Sequence, residues 1–420
     1  MMAISTVRVC YQGRPLSSAS PNIAPGSQGV PASIAMCGVS AVIVSCHQMT
    51  PVLAWVPTQR PGLEVCQAAI HPAVSVGSCV GGMTSPVASV IVVTYNSGND
   101  IEACLRSVLA QELPGFEVIV VDNRSVDDTV QVVKAGFPSV TVIENEGNWG
   151  VARGWNVGIR VSHGKYVVLL NPDTVTCERW LVELVRVMEE DESVGACQSR
   201  VLLHDKPDTI NTEGNEINYL GFTWCRNYGE KADGRVDVHE VPAFSGCSTI
   251  VRRDLLAEVG LADEDFFMYL EDTDLSLRVR RRGYRVVCNP ASVVYHRYRF
   301  ERGKKKLHYL ERNRLMLLLK HYDVTGLVKI VPVFLVMEVG LVFLSLFQGW
   351  FKDKLLSYLW VARRLRAIWA KRGTIGHKKG DQKGLFAIMS PTITFEEIQN
   401  PLLSKVVNPV LAAYYRLVLS

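Results

Sequence analysis

An α/β fold with a mostly parallel central sheet follows from two features of this 420-residue chain. Between Ser89 and about Ser199, short β-branched runs alternate with segments of helical periodicity, the pattern of successive βαβ units. Three of the apolar runs also end in polar residues, Thr94-Tyr95-Asn96, Asp122-Asn123 and Asn171-Pro172-Asp173. In open α/β sheets such strand ends line the ligand crevice.

The elements follow in order. "SVIVVTYN" (Ser89 to Asn96) reads as the first strand. The next segment places Ile101, Leu105, Val108 and Leu109 on one helical face, with Asn99 as its cap. "EVIVVDN" is the second strand, and the polar "RSVDDT" opens a helix after it. "VTVIEN" and "KYVVLLNPD" are the third and fourth strands; Leu181, Leu184, Val185 and Met188 then form another apolar stripe. From Arg200 to Glu240 the pattern loosens, which predicts long excursions over a site. Order returns at "VPAFSGCSTIVRRDLL", followed by a loop, a helix from about Thr273 to Arg282, a stop at Gly283 and a strand.

Composition bounds the flanks. The whole chain is 48% apolar and 20% charged, with a net charge of +4 that is too small to imply a nucleic-acid partner. Residues 1–82 carry only Arg8, Arg14, Arg60 and Glu64 as charged groups. Three readings fit this leader: a disordered or targeting extension, a small domain, or sequence upstream of a true start at Met83. It lacks the compact basic region and apolar core of a secretory signal, and the apolar stretch from Ser33 to Ser45 is too short to span a bilayer. Eleven scattered cysteines without a Cys-x-x-Cys argue against a zinc site or a disulfide framework, and for buried thiols in a reducing compartment.

Beyond Arg297 the chain turns basic ("RYRFERGKKK", "RRLRAIWAKR", "GHKKG") around an apolar run from Ile330 to Phe347. This predicts a membrane-embedded or interfacial hairpin near 325–350, whose Lys and Arg flanks suit the cytoplasmic face. Glu338 at its middle would be costly facing lipid. The competing reading is a buried helix of a soluble subdomain. The expected organisation is a leader (1–82), a catalytic domain (83–300) and a basic helical region (301–420).

Two further motifs point to chemistry. "ENEGNWGVARGWNVGIRVSHGKY" is a glycine-rich turn leading into a helix, where free backbone N–H groups favour an anion such as a diphosphate. It is neither a Walker loop nor a dinucleotide fingerprint. "YLEDTDL" brings Glu271, Asp272 and Asp274 within four positions, where like charges raise one another's pKa unless a cation or a proton-transfer role offsets the cost. The alternative is acidic decoration of a helix N-terminus.

These strings, with "VIVVDNRSVDDT", "YVVLLNPDT" and "FSGCSTIVRRDLLAEVGLADEDFFMYLEDTDLSLRVRRRGYRVVCNPASVVYHRY", resemble the inverting GT-A glycosyltransferases of family 2, rhamnosyltransferase-like branch, over Ser89 to Tyr298. The resemblance implies a Rossmann-like GT-A domain that transfers a sugar from a nucleotide diphosphate in surface-glycan synthesis. It implies that Thr94, Tyr95, Asn96, Asp122 and Asn123 hold the nucleoside, where many relatives have two acids at the last two positions. Asn148, Gly150, Arg153 and Asn156 would lie along the donor. Asp173 matches the last acid of the metal-binding Asp-x-Asp, with Asn171 in place of the first, and His296 would complete the shell of Mg²⁺ or Mn²⁺. Asp272 would be the general base, while Glu271 and Asp274, with Phe267, would serve the acceptor side.

The expected donor is dTDP-rhamnose, with UDP and GDP sugars as alternatives, and the expected acceptor is a lipid-linked or other saccharide. Two rival functions are a sugar-phosphate nucleotidyltransferase, whose glycine-rich signature "TYNSGND" lacks, and a non-catalytic basic protein that binds membrane or nucleic acid.

Overall fold

The computed structural model describes residues 85–298, 304–375, 381–395 and 401–419. The leader 1–82 and the "GHKKG" cluster lie outside the described residues.

The first half is the predicted alternation: β1 (Ala88–Thr94), α1 (Ile101–Leu109), β2 (Phe116–Asp122), α2 (Thr129–Gly136), β3 (Thr141–Glu144), α3 (Gly150–Val161) and β4 (Tyr166–Leu170). β4, β1, β2 and β3 lie side by side and parallel, so the ends of β1 and β2 fall on one rim, with Thr94 opposite Asp122. The α1 stripe is Ile101, Cys104, Leu105 and Val108 rather than one that includes Leu109, and the capping position falls at Asp100, not Asn99. Glycines bring α3 onto the sheet: a Cβ on Gly154 would come within 2.5 Å of Val93, and one on Gly158 within 2.6 Å of Ile91.

The second half mixes directions. After β5 (Thr174–Thr176) and α4 (Trp180–Glu190) come β6 (Val194–Leu203), β7 (Lys206–Thr212), β8 (Asn215–Ile217), β9 (Thr223–Cys225) and β10 (His239–Glu240). The segment expected to be loose excursions thus holds the end of β6 and four short strands. Its polar residues misled the periodicity because many are buried, among them Arg200, Asn211 and Glu213. β11 (Ser248–Arg252), α5 (Arg253–Val259), α6 (Glu271–Arg281) and β12 (Arg285–His296) complete the domain. β11 inserts antiparallel between β4 and β6, and β12 runs parallel to β6 on its other side. Apolar cores fill both faces, one beneath α1 and α4 and the other beneath α3, α5 and α6.

Helices α7 (Lys304–His321), α8 (Val324–Phe347), α9 (Phe351–Ala370), α10 (Arg372–Ile375), α11 (Asp381–Ala387) and α12 (Asn408–Tyr414) follow. They share a core with Tyr219, Phe266 and Leu277 of the sheet domain. The basic C-terminal region is in part interior. Arg312, Arg314, Lys320 and Lys354 are all buried. Arg314 pairs with Glu311 (3.0 Å) and with Glu338 of α8, while Lys354 pairs with Glu311 (2.6 Å) and Glu338 (3.1 Å). Glu338 therefore faces α7 and α9, its charge matched. The opposite face of α8 exposes Leu335, Val336, Val339, Phe343 and Phe347. At 24 residues α8 is about 36 Å long, enough to cross a bilayer by length and composition. The described cysteines are all free thiols, four of the six buried.

Candidate active site

The site is built on the rim of the parallel strands. Asp122 is buried and accepts from Thr94 Oγ1 (2.8 Å), Ser125 N (2.8 Å) and Ser125 Oγ (2.5 Å). Asn123, equally buried, donates to the Gly150 carbonyl (3.1 Å) and accepts from Asn145 (2.9 Å). Asn96, at φ +56°, receives Val126 N–H on its side chain, and its own N–H donates to Ser125. These residues thus converge as expected, but their polar atoms are largely used to stitch three loops together. Tyr95, half exposed, and Asn96 are the exposed residues of this group.

The glycine-rich turn departs from expectation. Gly150, at φ +79°, starts α3, and the N–H groups of Val151 and Ala152 donate to the Phe267 carbonyl at 2.6 and 3.3 Å. A backbone oxygen already caps the helix end that the sequence offers to an anion. Asn148 accepts from Gly150 N–H (3.0 Å) and so shapes the turn. Asn156 does not lie along an open groove: it is buried, donates to the Ala262 carbonyl (2.9 Å) and accepts from Ala262 N–H (3.0 Å). Arg153 stacks 3.6 Å over the Trp149 ring, near Glu264.

At the end of β4, Asn171 N–H donates to the Cys247 carbonyl at 2.9 Å. Two residues on, Asp173 Oδ1 lies 3.2 Å from His296 Nε2, which β12 delivers because its end pairs with β5. The other ring nitrogen, Nδ1, is 2.8 Å from Asn211 Oδ1, a contact that makes Nδ1 the protonated nitrogen and turns Nε2 toward Asp173. Burial works against charge on His296, but the adjacent Cys247 and Asp173 side chains outweigh it and hold its pKa well above the imidazole range.

The residues fit a small divalent cation as a partial shell. Among the described residues no group of three or more His, Cys, Asp or Glu is arranged to hold a metal ion. Mg²⁺ and Mn²⁺ need only one or two protein ligands when phosphates and waters supply the rest, and the Asn211 contact is the kind of outer support that fixes a ligating histidine.

Asp272 stands at the start of α6. Its Oδ2 accepts from Gly246 N (3.1 Å) and Asn215 Nδ2 (3.3 Å), and Oδ1 accepts from Thr273 N (2.6 Å). Burial raises its pKa, while these donors favour the ionised form. Its neighbour Glu271 is buried more completely, and Oε2 has no hydrogen-bond partner among the described residues. Burial first, then the Asp272 charge, push Glu271 up to about 8. The two acids therefore differ: burial without a partner on Oε2 favours the protonated form of Glu271, while the three donors on Asp272 favour its ionised form.

Asp274 has a different role from the acceptor-side one expected. It is fully buried and pairs with Arg278 (3.0 Å), Lys320 (2.6 Å) and His321 (2.9 Å), fastening α6 to α7. Burial would raise its pKa, but Lys320 and Arg278 hold it well below the usual range. Phe267 contributes its carbonyl to α3 and stacks its ring on Tyr309, centroids 5.0 Å apart. Sequence reasoning missed Asn211, Asn215 and the Gly246–Cys247 backbone. The signal for the first two was polar residues recurring within "TINTEGNEI", a stretch that folds as strand.

Residues 89–260 match the family model described as glycosyl transferase family 2. This segment is a family 2 glycosyltransferase domain. The family 2 match runs from β1 to the end of α5, and Asp272 and His296 lie beyond it. Among curated proteins the chain is similar to poly-β-1,6-N-acetyl-D-glucosamine synthase of Staphylococcus aureus, 25% identical over 210 residues, covering 49% of this chain and 48% of that protein. The chain thus spans about half the length of that relative. It is also similar to N-acetylglucosaminyl-diphospho-decaprenol L-rhamnosyltransferase of Mycobacterium tuberculosis, 28% identical over 249 residues, covering 53% of this chain and 80% of that protein. A solved structure of GalNAc-T7 with UDP, GalNAc and Mn²⁺ aligns at 16% identity and a TM-score of 0.49, covering 58% of this chain and 49% of that one.

Proposed function

We propose that this protein is an inverting, metal-dependent glycosyltransferase of surface-glycan synthesis, taking a sugar from a nucleotide diphosphate to a saccharide hydroxyl. The observation that carries the reading is the link between the two candidate acids. Gly246 N–H holds Asp272, and the next residue, Cys247, accepts from the backbone of Asn171, two positions before Asp173. One dipeptide therefore sets a hydrogen-bonded carboxylate beside the strand end that carries the Asp173–His296 pair.

In this reading Asp272 removes the acceptor hydroxyl proton as that oxygen attacks the anomeric carbon from the face opposite the diphosphate. The new C–O bond forms as the bond to phosphate breaks, the diphosphate departs with the electron pair, and the configuration inverts. Asp173 and His296 would hold a divalent cation, which when bound neutralises charge on the leaving diphosphate. Tyr95 lies where a base could stack. The similarity to a rhamnosyltransferase acting on a diphospho-decaprenol substrate supports dTDP-rhamnose and a lipid-linked acceptor, with UDP and GDP sugars as further donors.

The exposed apolar face of α8, together with exposed Leu355, Leu359, Arg363 and Arg366 of α9, supports docking on the cytoplasmic face of a membrane. Because Glu338 is matched internally, this face can meet lipid without burying a lone charge. The domain plan that goes with this reading is a catalytic unit over 83–300 and a membrane-associating unit over 301–420.

A thermal-shift screen of dTDP, UDP and GDP sugars with Mg²⁺ or Mn²⁺ tests the donor. Selective stabilisation by one nucleotide, lost with chelator, is expected. Stabilisation by none, together with absence of sugar transfer, would overturn the reading.

A further inference from the structure

We infer that Arg312 and Asn313, in the middle of α7, are positioning residues that hold the segment 266–270 and through it aim Asp272. The inference rests on the reading of Asp272 given above.

The segment needs holding. Phe267, Tyr269 and Leu270 have φ of +64°, +69° and +64°, a left-handed region that side chains with a Cβ avoid. At Phe267 the ψ of −64° and the Met268 N–H to Phe266 carbonyl bond (2.7 Å) form a γ-turn of the strained hand. Such a backbone persists only where its surroundings over-determine it. Glu271 and Asp272 follow directly, so any relaxation of this segment re-aims the first turn of α6.

Beside the α3 amides that hold the Phe267 carbonyl, two adjacent side chains from a helix far along the sequence hold this segment. Asn313 is fully buried, and its Nδ2 lies 3.0, 2.9 and 2.7 Å from the carbonyls of Phe266, Met268 and Tyr269. Arg312 Nη2 donates to the carbonyls of Asp265 (2.8 Å) and Phe266 (2.6 Å). Arg312 Nε also donates to Asn313 Oδ1 at 2.9 Å, which orients the carboxamide with its nitrogen toward the loop. The guanidinium sits between Tyr309 (4.8 Å) and Trp360 of α9 (4.4 Å).

The chemistry at position 313 is specific. A carboxamide can give two N–H groups to a cluster of carbonyls, whereas a carboxylate of the same shape has none and would repel them. An α7 that merely docked the C-terminal helices would need no such donor.

The test compares Asn313→Ala and Asn313→Asp with Arg314→Met, which loosens α8 and α9 from α7 without touching 266–270. Hydrogen exchange of the full chain is followed by mass spectrometry over peptides covering 264–273. Both Asn313 variants are expected to raise exchange there at least ten-fold, and Arg314→Met to leave that peptide within two-fold of wild type. Transfer assays should then show kcat lowered at least 100-fold with the donor KM within three-fold.

Should the Asn313 variants fail to fold, Arg312→Lys, which keeps the charge but loses the fork to two carbonyls, is expected to raise exchange at 264–273 in the same way. Unchanged exchange, or an equal rise in Arg314→Met, would overturn the inference, as would variants with wild-type kcat. A wild-type chain that transfers no sugar would instead overturn the proposed function, and the exchange result would still decide the clamp.

Discussion

The backbone N–H of Gly246 donates to Asp272 Oδ2 over 3.1 Å, joining the start of α6 to the turn two residues before β11 in the middle of the sheet. Gly246 has no side chain because Trp155 occupies that space; a Cβ there would meet the indole at 2.4 Å. The close approach that brings this amide to the carboxylate is thus a packing constraint between α3 and the sheet.

Replacing Asp272 with Asn keeps the shape and removes the base. Nucleotide-sugar binding, measured by calorimetry, is expected to stay within a few-fold, while transfer falls by about 10²–10⁴, the usual contribution of a positioned base. Transfer at the wild-type rate would show that another group takes the proton.

Asp173→Ala and His296→Ala each remove one of the two candidate cation ligands. Nucleotide diphosphate affinity in Mn²⁺ should drop at least ten-fold in both variants, whereas affinity in excess chelator should match wild type. Wild-type transfer undiminished by chelator would exclude the cation role.

Glu271 makes stability depend on pH in a defined direction. Its pKa rises from about 4.5 unfolded to about 8 folded, so between those values the folded chain binds the extra proton. Its contribution therefore opposes the folded state increasingly as pH rises through that window, by at most about 1.4 kcal/mol per pH unit. Glu271→Gln should lack this loss. The melting temperature of the variant relative to wild type is expected to climb from pH 5 to pH 8.5, and a flat difference would refute the assignment.

Glu338 belongs to a buried set of two acids and two bases with Arg314, Glu311 and Lys354. Glu338→Ala leaves a positive charge unmatched and should destabilise the chain by about 3–5 kcal/mol in chemical denaturation. Changing Glu338 and Arg314 together to Met leaves the Glu311–Lys354 pair intact and should cost markedly less. Equal costs would place Glu338 outside the network.

The sequence by itself determined the alternating α/β half of the fold, because β1, β2 and β4 are buried on both faces and each helix on one, so hydrophobic period reports directly on structure. It also determined which strand ends carry polar groups, and that "YLEDTDL" clusters three acids. What it could not assign was the use of each polar atom. Asp274 and Asp272 are indistinguishable in a string of acids; only the packing of α7 gives Lys320 and His321 to one and leaves the other at the rim. Asn156 and Gly150 likewise read as ligand contacts until the loop at 262–267 comes to lie against them. The internal pairing of the basic C-terminal run was not legible because charge in sequence carries no record of its partner, and Glu338 meets Arg314 only when two helices fold together. Hydrogen-bond and ion-pair partners are set by contacts between residues distant in sequence, and tertiary structure alone decides those.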